Sequence, residues 1–237
     1  MTNDPMSIKF EGTPGTIPLP VARMREGTSI ADLGKWMVLG ETFAHMAARI
    51  APVSQPFYVD IGCGCGKMAR FLALDRGCRY LGIDVHKAAI DWSNAAFAQH
   101  PNFTFVHIDV DSPIANPGGS IDPATIRLPC EDSVADVVLC ASLFTHLIEP
   151  VFVHYMREIE RMLSPVGRAL ISIHNEPADG RFSGDVPRID ISEACFREIV
   201  EASGLIIVER IGFWLGQYVF VVGRPGDPGL SASAVTG

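Results

Sequence analysis

The densest chemical signal in the chain is the heptapeptide Asp60-Ile61-Gly62-Cys63-Gly64-Cys65-Gly66. It follows an apolar run, Phe57 to Ile61, and leads into a helical pattern. Glycines at 62, 64 and 66 permit a tight turn and let backbone amides approach a ligand that a β-carbon would keep away. Twenty-four residues after Asp60, Asp84 ends the next apolar run, Tyr80 to Asp84. An acidic side chain there can accept both hydroxyl protons of a ribose. An ordinary strand-to-helix turn and a helix-capping Asp explain either feature alone; the pair points to a bound nucleoside.

The same loop indicates which nucleoside. A dinucleotide fingerprint needs glycine at position 67, where this chain has Lys67. A carboxylate at Asp60 suits the ammonium of an amino-acid tail and repels a pyrophosphate. S-adenosylmethionine therefore fits better than NAD. A sulfonium-bound methyl is already electrophilic, so the protein must mainly align a nucleophile with it. A hydroxyl nucleophile must also lose a proton, and a general base within about 3 Å contributes roughly 10²–10⁴-fold.

Two histidines stand where ligands of a doubly wound sheet bind, at the carboxyl ends of strands: His146 after the fourth and His174 after the fifth. His146 is the favoured base, with His174 second, because the sequence Leu143-Phe144-Thr145-His146-Leu147 sets an imidazole among apolar neighbours that keep it neutral. Either ring can instead cap a helix or line the core. His45, His86, His100, His107 and His154 fall within or beside helices and strands and are read as structural. Asp179 and Asp185, near His174, Asn175 and Glu176, offer enough oxygen for a Mg2+ ion aligning a diol, though an acidic glycine-rich loop explains them equally; no metal ligand is assigned. Phe213 and Trp214 can stack on a sugar ring or pack in the core.

These residues need a scaffold, and the chain alternates strand-like with helix-like segments, as a mostly parallel sheet covered on both faces requires. Ser29-x-x-Asp32 resembles a capping box opening a helix to Ile50. Strands are expected at Phe57–Ile61, Tyr80–Asp84, Phe103–Asp109, Ala135–Ala141, Ala169–Ile173, Leu205–Arg210 and Tyr218–Val222. Helices are expected at about Lys67–Leu74 and Lys87–Ala98, from after Glu149 to about Leu163 with Pro150 at a favoured first position, and at about Ser192–Ala202. Residues 1–27 form an N-terminal extension, a lid in which Arg23 and Arg25 reach the donor or acceptor, or else a solvated loop. Residues 28–222 form one domain, and 223–237, poor in large apolar groups, form a disordered tail.

Composition narrows the function classes. The chain has 237 residues, 48% hydrophobic, with 19 basic against 27 acidic side chains and a net charge of −8. Such a surface repels a phosphate backbone, so no nucleic-acid partner is expected. Apolar runs fall short of the ~20 residues that span a bilayer, so no membrane partner is expected. MTNDPMSIKFEG lacks the pattern of a signal peptide, and a cytoplasmic protein is expected. The six cysteines lack metal-type spacing beyond one C-x-C and read as reduced thiols.

From about Thr28 to Val222 the chain resembles the class I S-adenosylmethionine-dependent methyltransferases. The likeness rests on DIGCGCG, on LGID ending in Asp84, on HIDV with Asp109, on Leu128-Pro129, on DSVADVVLCASLFTHL, and on MLSPVGRALISIH from Met162 to His174. It implies a Rossmann-like α/β fold with a seven-stranded sheet in the order 3-2-1-4-5-7-6, strand seven antiparallel and helices on both faces. It places Asp109 beside the adenine amine and adds Cys63, Val85, Val110 and Ala141 to a donor pocket formed with Asp60, Gly62, Gly64 and Asp84. The run from Val110 to Leu147, with its Asn-Pro-Gly-Gly insert and Phe-Thr-His ending, resembles a bacterial subgroup that accompanies saccharide or natural-product assembly. It implies O-methylation of a small-molecule acceptor, best a saccharide. No Asn/Asp-Pro-Pro-aromatic motif follows strand four, which disfavours nucleobase or amide nitrogen. A non-sugar or nitrogen acceptor, a silent donor-binding module and an NAD-dependent oxidoreductase are the alternatives.

Overall fold

The computed structural model describes residues 17–28, 30–75, 77–176 and 180–226. In chain order the elements are α1 (Ala22–Thr28), α2 (Leu33–Ile50), β1 (Phe57–Ile61), α3 (Ala69–Leu72), β2 (Arg79–Asp84), α4 (Lys87–Ala96), β3 (Phe103–His107), β4 (Ala135–Cys140), α5 (Glu149–Met162), β5 (Leu163–Ile173), β6 (Phe182–Asp185), β7 (Arg188–Ile191), α6 (Glu193–Ala202), β8 (Ile206–Trp214) and β9 (Gln217–Gly223). The main sheet runs β3-β2-β1-β4-β5-β9-β8. Strands β1 to β5 are parallel, and β9 lies antiparallel between β5 and β8. This is the expected Rossmann-like order once the β6–β7 hairpin is counted.

Parallel strands buried on both sides must be apolar on both sides. On one face Val59, Ile61, Val138 and Ile171 pack with Phe152 and Met156 of α5 and Phe196 and Ile199 of α6. On the other, Tyr58, Val137, Leu139 and Leu170 pack with Phe43 of α2, Phe71 of α3 and Ile90 of α4. Every parallel strand therefore ends at one rim of the sheet, and the loops leaving that rim carry the candidate site.

Local boundaries moved for identifiable reasons. Helix α2 is capped by Asp32, whose carboxylate accepts from the Lys35 amide at 2.7 Å; Ser29 lies outside the described residues. Helix α3 is one turn, because 64–68 are spent on turns out of the glycine loop. Strand β5 starts at Leu163 rather than Ala169, pairing with Ala135 across a register shift. The hairpin β6–β7 stands where an acidic loop was expected. Its signal is the alternation of Ile189 and Ile191, both buried, across a two-residue turn.

The described segments next to residues 1–16 and 227–237 are held by specific bonds. The guanidinium of Arg70 donates to the carbonyls of Ile17 (2.6 Å) and Pro18. Arg25 is buried and donates to the carbonyls of Pro20 and Ala31, the latter at 2.7 Å, so it does not project toward a ligand; Arg23 is exposed. At the other end Gly223 belongs to β9, and Arg224 binds Glu160 and the carbonyl of Leu163, so a disordered tail does not begin at 223. Residues 227–237 lie outside the described residues. Among the described residues no helix is long and apolar enough to cross a membrane.

Helix α2 meets the segment leaving the glycine loop at Gly40. A β-carbon there would lie 2.9 Å from the Lys67 carbonyl carbon and closer still to its oxygen. In an open helix Gly→Ala stabilises by about 1 kcal/mol. At this contact the sign reverses: Gly40→Ala is expected to destabilise the protein by ~1–3 kcal/mol in urea denaturation, because rigid backbone must move. A stabilised variant would show that α2 does not press on the loop.

Candidate functional site

The glycine loop is fixed first by the sheet. The amides of Gly62 and Cys63 donate to the Ile83 carbonyl at 2.8 and 3.2 Å, tying the loop to the end of β2. Gly62, Gly64 and Gly66 have φ of +81°, +54° and +66°, a left-handed backbone that side chains resist. Asp84 then bridges two segments. One carboxylate oxygen accepts from the Gly64 amide and the other from the His86 amide, both at 2.7 Å. Burial pushes its pKa up, and these two amides oppose the shift. A carboxylate offers about four acceptor positions, so two remain for ribose hydroxyls.

Asp60 is fully buried. Its Oδ2 accepts from the Tyr80 hydroxyl at 2.5 Å, and its Oδ1 has no hydrogen-bond partner. Burial pushes its carboxyl up to about 7, against the Tyr80 hydrogen bond and the charge of Lys67, with Asp84 adding to the rise. Lys67 is itself buried, and burial lowers its pKa against the pull of Asp60 and Asp84. An unpartnered buried carboxylate oxygen matches a ligand that brings an ammonium group, which is the fit expected for S-adenosylmethionine. Cys63 is buried beside this network with its thiol directed at the Gly64 carbonyl at 3.7 Å.

Farther along the rim, Asp109 is exposed and already engaged by the insert. Its oxygens accept from the Asn116 side chain (3.0 Å), the Ser120 amide (3.2 Å) and the Ser120 hydroxyl (2.7 Å), which hold its carboxyl below the usual range. Three of about four acceptor positions thus fold the insert, leaving one for an adenine amine. Val110 is buried and bridges to Ile121, and the carbonyl of Val85 accepts from the His107 ring at 3.1 Å. Ala141, buried, follows β4.

The two candidate bases are brought together. His146 ends a 3₁₀ turn, Phe144–His146, and its Nδ1 bonds to the Pro187 carbonyl in the β6–β7 turn. Partial burial lowers its pKa, the Pro187 carbonyl opposes this, and neighbouring His174 lowers it further. The Nδ1 of His174 bonds to the Gly216 carbonyl in the β8–β9 turn at 3.1 Å. Leu143, three residues before His146, lies 3.6 Å from where a β-carbon on Gly62 would sit, so this segment borders the glycine loop.

Sequence patterns did not single out Ser142 or Gln217. Ser142 holds a left-handed φ of +61°, its amide donates to the Ser172 hydroxyl at 2.7 Å, and its own hydroxyl is bonded to the Gln217 amide group at 3.0–3.1 Å. A positive φ is uncommon for serine and marks a segment that its surroundings hold in place. Phe213 and Trp214 are 58% and 37% exposed, which removes the core-packing alternative. They stand beside the turn that binds His174. Of the residues proposed for Mg2+, Asp185 accepts from the Val186 amide at 2.8 Å, Glu176 lies 3.9 Å from Arg188, and Asp179 is outside the described residues. Among the described residues no three His, Cys, Asp or Glu side chains are grouped to hold a metal, so the Mg2+ expectation finds no support.

Residues 59–171, which contain the glycine loop, Asp84, Asp109 and His146, match the family model of a methyltransferase domain. Solved structures share the fold. A TehB-like S-adenosylmethionine-dependent methyltransferase from Corynebacterium glutamicum is 21% identical, over 76% of this chain and 86% of its own, with a TM-score of 0.55. A methyltransferase of the same dependence from Aquifex aeolicus is 15% identical over 86% and 97%, with a TM-score of 0.58. The 1,6-didemethyltoxoflavin-N1-methyltransferase of Burkholderia thailandensis, with S-adenosylhomocysteine bound, is 20% identical over 87% and 92%, with a TM-score of 0.52.

Two outcomes test the donor side by calorimetry with S-adenosylhomocysteine. Asp84→Ala is expected to weaken binding by ~1.5–3 kcal/mol through loss of charge-assisted hydrogen bonds; unchanged affinity would remove Asp84 from the site. Asp60 should make binding pH-dependent. Its raised pKa leaves it half neutral near pH 7 in the free protein, whereas a bound ammonium favours the ionised form. Affinity should therefore rise as pH increases through about 7, and Asp60→Asn should flatten the rise. A flat profile in the wild type would separate Asp60 from the ligand's amine.

Proposed function

We propose that the chain is an S-adenosylmethionine-dependent methyltransferase that transfers the methyl group to a hydroxyl of a small-molecule acceptor, with a saccharide favoured; the methyltransferase-domain match over residues 59–171 supports the first part of this reading. The observation that carries this reading is His146. It is an imidazole at the carboxyl end of β4, next to the segment that borders the glycine loop; it is exposed rather than enclosed by apolar neighbours, its Nδ1 is held by the Pro187 carbonyl, and desolvation where the ring meets the hairpin lowers its pKa. A neutral imidazole is the form that can take a hydroxyl proton at pH 7.

S-adenosylmethionine supplies a methyl group activated by a positive sulfur. Asp84 holds the ribose and Asp60 the ammonium, with Asp109 and the insert beside the adenine. Ser142, in its left-handed conformation, and Gln217 fix the chain between β4 and the 3₁₀ turn, so His146 approaches the acceptor from a constrained backbone. The acceptor hydroxyl gives its proton to His146 as its oxygen bonds to the methyl carbon and the sulfur–methyl bond breaks, its electron pair returning to sulfur so that S-adenosylhomocysteine leaves; the proton then passes from His146 to solvent. The exposed rings of Phe213 and Trp214 at the same rim suit the apolar face of a sugar.

The experiment begins with labelled methyl donor and fractionated small-molecule extracts, followed by mass spectrometry of the labelled product. A product methylated on nitrogen overturns the hydroxyl assignment. With the acceptor recovered there, His146→Ala should lower turnover by ~10²-fold or more with little change in donor affinity. Wild-type turnover should rise with pH through one ionisation below the ordinary histidine value, since the base works when deprotonated and its pKa is lowered. Near-normal turnover in His146→Gln, which keeps hydrogen bonding but takes no proton near neutrality, transfers the test to His174.

A further inference from the structure

His146 and His174 come from different strands, yet both are held the same way. Each has its Nδ1 bonded to a backbone carbonyl at a hairpin turn: Pro187 between β6 and β7, and Gly216 between β8 and β9. A carbonyl only accepts, so each Nδ1 must carry the proton. In a neutral imidazole that leaves Nε2 as the acceptor. The 3₁₀ turn that ends in His146 packs on both β7 and β5, and the Ile191 amide of β7 donates to the His174 carbonyl at 2.9 Å, so the two rings belong to one region of the rim.

The hairpins are themselves secured. Asp190 of β7 is buried, and both of its oxygens accept from the Arg188 guanidinium at 2.9 Å. The backbone of β7 is joined to the end of β5, since the Ile191 amide donates to the His174 carbonyl at 2.9 Å. On the other side Gln217, adjoining Gly216, is bonded to Ser142. The carbonyls that hold the rings are thus parts of ordered elements.

We infer that the β6–β7 and β8–β9 turns act as tautomer locks, fixing both histidines with the proton on Nδ1 and presenting paired Nε2 acceptors to an acceptor molecule that bears two neighbouring hydroxyl donors. This rests on the proposed role of His146 and deepens it. One Nε2 takes the proton of the hydroxyl being methylated, and the other orients a second hydroxyl through a hydrogen bond. A lone amine or an aromatic ring nitrogen would leave one acceptor unmatched. Arg188 and Asp190 are positioning residues, acting through the Pro187 carbonyl.

The tautomers can be read directly by nitrogen-15 NMR of the histidine rings in the full-length protein saturated with S-adenosylhomocysteine, at a pH where both rings are neutral. His146→Gln and His174→Gln assign the signals by removing one each. Both rings should show protonated Nδ1 and unprotonated Nε2. In the double variant Arg188→Ala/Asp190→Ala, which removes the clip without leaving an unpaired buried charge, the His146 signal should shift toward the Nε2–H form. His174, whose Nδ1 is held by the Gly216 carbonyl and not by the clip, should keep its Nδ1–H form, while losing the neighbouring Asp190 charge shifts its signal. Arg188→Lys, which keeps the charge pair, should restore most of the wild-type pattern. Protonated Nε2 on either ring of the wild type overturns the inference, and so does an unchanged His146 tautomer in a folded double variant. If the double variant does not fold, the wild-type tautomers decide. Locked tautomers together with normal turnover in His146→Gln would support the lock and remove the base role, so the two ideas fail separately.

Discussion

The donor side of the molecule depends on one carboxylate bridging two backbone amides. Asp84 accepts from Gly64 in the loop after β1 and from His86 at the start of α4, which sets the loop and the helix relative to each other. The left-handed glycines permit this approach, and the bonds from Gly62 and Cys63 to Ile83 hold the loop from the other side. With these in place, Asp84 keeps acceptor capacity for a ligand while remaining almost wholly buried. A carboxylate free to rotate would have to be ordered again at each binding event.

Beneath the loop lies an unusual concentration of buried ionisable groups: Asp60, Tyr80, Lys67 and Asp84. Burying charge is costly unless each group finds a partner. Tyr80 serves one oxygen of Asp60 and the other is unpartnered, and burial pushes the Asp60 carboxyl up to about 7 against the Tyr80 hydrogen bond. A site with this imbalance is suited to a cationic ligand, because binding supplies the missing charge where the protein leaves it out.

The part of the rim that carries the two histidines is built differently. There the backbone carbonyls of two hairpin turns meet the rings of His146 and His174, and one of those hairpins, β6–β7, belongs to a second, two-stranded sheet. The parallel sheet supplies the rim, and the additional strands supply what faces it. The carboxylates at 60 and 84 therefore sit on β1 and β2, whereas the two histidines meet the hairpins formed after β5.

The central strands, the glycine loop and the acids at 60 and 84 were legible in the sequence because each depends on local facts: apolar runs of strand length, glycines where the backbone must turn left-handed, and carboxylates at strand ends. The two histidines were legible as positions for the same reason. What sequence left undecided depends on contacts between distant segments. Arg25 reads as a candidate ligand-binding cation, but the carbonyls of Pro20 and Ala31 claim it. Asp109 reads as an adenine contact, but Asn116 and Ser120 occupy most of its acceptor capacity. The hairpin β6–β7 reads as loop because four-residue strands with glycine and aspartate carry little propensity, and pairing with each other stabilises them. Residue types thus fixed which groups were available for donor binding and proton transfer. Only the tertiary structure decided which of those groups are already engaged and which nitrogen of each histidine is bonded to a backbone carbonyl, because a side chain's partners are set by the segments packed against it and not by its neighbours in the chain.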